Sequence, residues 1–113
     1  MTLQSFRIQD LIRSEWGFCR VKLEYFEVSI QGSFGSYSTP RKDLSPEYYS
    51  KMEVAIFHKD GTWAKPKEDP IFMFYEWRKY FEPGDKPVAG YVDVRIIEQI
   101  VEDLNLYVKI NSL

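Results

Sequence analysis

Cysteine and histidine are nearly missing from this chain: Cys19 and His58 are the only residues of their kinds among 113. One cysteine excludes an intramolecular disulfide. One cysteine and one histidine cannot close a structural zinc site. A Ser-His-Asp arrangement would have to be built on His58. A thiol nucleophile would have to be Cys19, which alternates with Val21 and Leu23 as a buried strand residue would, and a buried thiol is inert. No run of residues approaches the roughly 18 apolar positions of a membrane span. The start, Met1 to Arg7, lacks the basic and apolar blocks of a signal peptide. We therefore expect a cytoplasmic protein with no membrane association. An excess of positive charge is lacking too: 15 basic residues stand against 17 acidic ones, for a net charge of −2.

What the chain does have is aromatic surface. Phe, Trp and Tyr make up 17% of the residues, more rings than one small core can hide, so some are expected at the surface. A chain of this length has the size of one domain, and residues 1–113 are read as one compact α+β unit whose core needs no disulfide or metal. The acids are unevenly spread. From Glu82 to Leu104 six acids face only Lys86 and Arg95, a local balance of −4.

The hydrophobic period places the elements. Ile8, Leu11, Ile12 and Trp16 make a helical stripe over 3–16, with Gly17 as its stop. From Cys19 to Gln31 the period is two, but the apolar face changes at Tyr25-Phe26, which predicts a β-bulge or a strand whose halves face different layers. The polar stretch 31–45 is either a functional loop presenting Phe34 and Tyr37 or an irregular hairpin whose second arm is 36–39. Ser45-Pro46-Glu47 reads as a short helix start carrying Tyr48 and Tyr49. Met52, Val54 and Ile56 mark a strand, and Lys59-Asp60-Gly61-Thr62 a tight turn returning through Trp63. Over 71–82 the stripe Met73, Phe74, Trp77, Tyr80 and Phe81 favours a helix, although the aromatic density suits a strand. Residues 88–92 read as a strand. Asp93 then caps a helix with Val94, Ile97, Ile100, Val101 and Leu104 on one face and Asn105 at a left-handed stop. Leu106, Val108 and Ile110 fit an edge strand. The expected architecture is a mostly antiparallel sheet of about four to five strands, with two or three helices on one face.

The motifs for chemistry are thin. His58 with Asp60 and Glu53 could form a general acid-base group, but Glu53 and His58, five residues apart, point to opposite faces of a strand. Glu68-Asp69 and Glu102-Asp103 could attract magnesium or calcium, yet paired acids are common on wet surfaces and no EF-hand pattern is present. Gly32-Ser33-Phe34-Gly35 lacks the lysine of a phosphate-binding loop. Arg41-Lys42 beside Tyr37, and Arg78-Lys79 between Trp77 and Tyr80, are too short for a nucleic-acid track. We expect no cofactor, no metal and no enzymatic activity.

Surplus aromatics with acidic clusters fit protein recognition better, because Trp and Tyr dominate interface hot spots and acids steer a basic partner. The expectation is a small acidic module that covers a basic functional surface of another protein, as inhibitors, immunity proteins and antidotes of bacteria and phages do. The residues expected to make contact are Phe34, Tyr37, Tyr48, Tyr49, Glu98, Glu102 and Asp103. The alternatives are a small enzyme around His58, and a homodimer pairing edge to edge through 106–110.

Overall fold

The computed structural model describes residues 18–32, 38–39 and 50–107. The expected helix over 3–16, the 36–39 arm apart from Ser38 and Thr39, the turn after Ser45 and the strand beyond Tyr107 lie outside those residues. Four strands, β1 (Phe18–Lys22), β2 (Phe26–Gln31), β3 (Lys51–His58) and β4 (Ala89–Asp93), form one antiparallel sheet in the order β1-β2-β3-β4. One α-helix, α1 (Val94–Asn105), follows directly from β4. The strand count agrees with expectation; the two or three helices do not, because among the described residues α1 is the only α-helix.

The face change at Tyr25-Phe26 is neither a bulge nor a change of layer. It is a hairpin. Lys22 pairs with Glu27 in the β1–β2 register, and the Leu23 amide donates to the Phe26 carbonyl at 2.8 Å. Glu24 and Tyr25 make the turn without positive φ. The turn contains none of the Gly or Asn residues that normally betray one, so alternation ran through it unbroken. The turn after β3 does carry its signal. The Gly61 amide donates to the His58 carbonyl, His58 donates to Thr62, and Gly61 sits at φ 91°. Asp60 fixes the turn further by accepting from the Thr62 amide at 2.9 Å and its hydroxyl at 2.6 Å. Those hydrogen bonds, the hydroxyl's foremost, hold the Asp60 carboxyl below its ordinary range. The return is shorter than a strand: Trp63 makes an isolated bridge to Phe57, and Lys65-Pro66 ends the pairing.

Register puts Val28, Ile30, Met52, Val54 and Ile56 on one face, and all are fully buried. Against them pack Ile97, Ile100, Val101 and Leu104, the face of α1 that the 3.6-residue spacing predicted. Asp93 caps the helix, its carboxylate accepting from the Arg95 amide at 2.8 Å. The other end differs from expectation. Asn105 is the last helical residue, and Leu106 continues in right-handed geometry at φ −87°.

The greatest departure is the aromatic segment 70–81. It forms two 3-10 helices, Pro70–Phe72 and Glu76–Tyr80, and no α-helix. Asp69 accepts from the Ile71 amide and Pro70 occupies the first turn, so the first 3-10 helix is capped at its start. The bonds that follow all span three residues: Met73 to Pro70, Tyr75 to Phe72, Arg78 to Tyr75 and Phe81 to Arg78. A period near three turns Phe72, Tyr75 and Phe81 toward the core, with Phe72 and Phe81 fully buried. The helical stripe would have buried Met73, Phe74 and Tyr80, all of which are exposed. Phe81 meets both patterns, and Trp77, which belongs to the helical stripe alone, is buried as well.

Replacing Asp93 with Ala removes the helix cap without touching the core. Chemical denaturation of Asp93→Ala is expected to show a loss of about 1 kcal/mol with an unchanged circular-dichroism spectrum.

Candidate functional site: an aromatic face on segment 70–91

A side chain left in water on a well-held backbone marks a surface available for contact. The exposed large apolar side chains of the described residues are Ile71, Met73, Phe74, Tyr80, Tyr91 and Leu106, and five of these six lie between positions 71 and 91. Phe74 is the extreme, at 89% exposed. Its neighbours hold the backbone beneath it. Phe72 lies 5.6 Å from Phe26 and 6.1 Å from Trp77 between ring centroids, and Trp77 lies 6.0 Å from Phe81. Tyr75 stacks on Trp77 at 4.8 Å with the planes 10° apart.

The segment is tied to α1 by one polar contact. The Trp77 indole N–H donates to Asp103 Oδ2 at 2.8 Å, and Gln99 Nε2 donates to Asp103 Oδ1 at 2.9 Å. Both carboxylate oxygens of Asp103 are thus engaged. Tyr75 feels the same environment: its phenol is pushed above its ordinary range, first by burial and then by the Asp103 charge. Arg78 secures the outer side by donating to the Lys67 carbonyl at 2.7 Å. The Arg78-Lys79 pair is therefore divided between a backbone contact and the Tyr80 ring, over which the Lys79 ammonium sits at 5.4 Å.

Tyr91 is displayed by a different device. Met52 pairs with Val92 and Val54 with Ala89, so Gly90 and Tyr91 together stand opposite Glu53 in a β-bulge. The bulge lets Ala89 and Val92 both enter the core while Gly90 and Tyr91 both face solvent. Tyr91 takes φ 54° although a glycine lies one position earlier. A β-carbon there costs roughly 1–2 kcal/mol. Among the described residues no other non-glycine has positive φ. Strain of this kind persists only where the surrounding structure enforces it.

Of the contact residues expected from sequence, Phe34, Tyr37, Tyr48 and Tyr49 lie outside the described residues. Glu98, Glu102 and Asp103 are brought together on α1, but Asp103 is half-buried and serves the Trp77 indole. His58 shares its strand face with Val54 and Ile56, while Glu53 takes the opposite one. Asp60 accepts from Thr62 and borders a cleft of about 410 Å³ together with His58, while Glu53 lies on the other side of the sheet and joins neither. His58 also borders a cleft of about 340 Å³ with Trp63, Lys65, Glu68 and Asp69. There Lys65 faces Asp85 at 3.5 Å, Glu68 accepts from the Gly84 amide and Asp69 caps the first 3-10 turn. Among the described residues no group of three potential ligands could hold a metal ion, and no helix is long and apolar enough to cross a membrane.

No family model, curated protein or solved structure matches this chain.

Sequence reasoning missed Ile71, Met73, Phe74, Tyr80 and Tyr91 as surface residues. A signal existed for Tyr91: strict alternation through Val88, Ala89, Gly90, Tyr91 and Val92 cannot send both Ala89 and Val92 inward, and Gly90 marks the place where it breaks.

Three measurements check this geometry. Asp103→Ala leaves the half-buried indole donor unpaired, and a loss of about 1–2 kcal/mol is expected. Tyr75 titrates higher when folded than unfolded, so its contribution is complete below about pH 10 and is lost as pH rises beyond that. Denaturation midpoints of the wild type should fall above about pH 10 more steeply than those of Tyr75→Phe. Tyr91→Gly relieves the positive-φ strain at some cost in chain entropy. It should be as stable as the wild type or up to about 1 kcal/mol more stable.

Proposed function

We propose that the protein is a small acidic protein-binding module of the inhibitor, immunity or antidote type, which covers a basic surface of another protein and catalyses no reaction. The observation that carries this reading is Phe74, 89% exposed between exposed Ile71, Met73 and Tyr80 on a segment anchored in the core by Phe72, Trp77 and Phe81. Solvated rings on a backbone already ordered bury large area on docking at little entropic cost, as hot-spot residues do. Glu76 and Glu82, both exposed on the same stretch, and Glu98 and Glu102 on α1 supply the negative rim. Such a rim accelerates encounter with a basic partner and makes binding salt-sensitive. Phe34, Tyr37, Tyr48 and Tyr49 belong to the same proposal as further contacts, and the cytoplasm as the place of action.

A photo-crosslinking amino acid at position 74, with the exposed Thr62 as control position, should capture one partner at 74 only. Phe74→Ala should then weaken the complex by about 30-fold or more without changing stability, the mark of a hot spot. Glu98→Lys with Glu102→Lys should slow association and flatten its salt dependence. Asp103 is unsuited to this test because its loss unpins Trp77. A complex indifferent to Phe74→Ala and to both charge reversals would overturn the proposal, and self-crosslinking at 74 would replace it with a homodimer.

A further inference from the structure

We propose that the cleft bordered by Tyr80 and Tyr91 is a binding site for one organic cation, the guanidinium or ammonium head of an arginine or lysine side chain. The cleft measures about 360 Å³ and is lined by Tyr80, Glu82, Val88, Gly90 and Tyr91. That volume lies at the small end of the ligand-pocket range, roughly 300–1,000 Å³, and suits a single side chain. Two phenol rings and a carboxylate are the donor set that recognises an organic cation: ring faces attract it through their quadrupole, and the carboxylate supplies the balancing charge.

Three features of this chain support the assignment. Tyr80 already attracts a cation, since the Lys79 ammonium lies 5.4 Å from its ring centroid. Lys79 is exposed and can be displaced by a cation that also reaches Glu82. The walls are held in place. The Glu82 amide donates to the Val88 carbonyl at 3.2 Å, closing the intervening loop, and Glu68 and Lys65 hold that loop at Gly84 and Asp85. Finally, Tyr91 reaches the cleft only through the β-bulge and its φ of 54°. There the backbone carries strain at the residue that supplies the cleft's second ring.

That the cation belongs to a protein partner rests on the protein-binding reading above; the recognition chemistry of the cleft does not. The test uses the intact chain and Nα-acetyl-arginine methylamide as probe, with the citrulline analogue as its uncharged counterpart, followed by amide chemical shifts of residues 80–91. The arginine probe should shift Gly90 and Tyr91 in a saturable, salt-sensitive way, and the citrulline probe should not. Tyr91→Asn, which tolerates the positive φ while removing the ring, should weaken the arginine probe about three- to fivefold, as should Glu82→Gln. Lys79→Gln, which removes the resident competitor, should strengthen it. Equal response to citrulline, or full binding by both Tyr91→Asn and Glu82→Gln, would overturn the site. A free arginine derivative that binds as expected while the captured partner is indifferent to Tyr91→Asn would keep the cation site and reject the partner's side chain as its source. Loss of the partner in Phe74→Ala with the arginine response intact would show the two surfaces to be separate.

Discussion

The aromatic segment depends on the burial of three rings, Phe72, Trp77 and Phe81, in the core that the sheet and α1 share. Each reaches the core from a segment with little regular hydrogen bonding of its own, and together they convert that segment into a wall of the domain. Fully burying one such ring is worth about 1.5–3 kcal/mol. Three of them outweigh the poor geometry of 3-10 turns and the weak helix propensity of aromatic residues. The Trp77–Asp103 hydrogen bond adds direction to this apolar attachment, fixing the indole edge against one turn of α1.

The same anchoring explains why other apolar side chains remain in water. A backbone held at Phe72, Trp77 and Phe81 by turns of about three residues cannot also bury Met73, Phe74 and Tyr80, which point away from the sheet. The β4 bulge works in the same direction from the other wall, giving two core positions to Ala89 and Val92 and displaying Tyr91. Tyr80 and Tyr91, displayed by two independent departures from regular structure, thus border one cleft. Apolar exposure concentrated in this way is costly for a protein acting alone and useful for one that binds, and on this the proposed function rests. Of the acids on α1, Asp103 serves the structure by accepting from Trp77 and Gln99.

Sequence patterning was most reliable where one strong period met clear end signals. The helix after Asp93, its buried stripe, the strand around Val54 and the turn at Gly61 were all legible, because a cap, an Asp-Gly pair and uniform alternation pointed the same way. It failed where signals were missing or in conflict. The β1–β2 turn contains Glu24 and Tyr25, which look like strand residues, and only the pairing of Lys22 with Glu27 reveals the reversal. Over 71–82 nearly every residue is aromatic or charged, so stripes of period 3.0 and 3.6 are both present.

The sequence by itself determined which elements of strong period form, the capped face of α1, and the scarcity of cysteine and histidine that narrows the available chemistry. Those follow from local propensity and the spacing of apolar residues. Only the tertiary structure decided which rings of the aromatic segment go inside and which meet water. That choice depends on the distance from β2 and β3 to α1 and on the register of β4 against β3, quantities set by contacts between residues far apart in the chain. A single strand or turn carries no information about them.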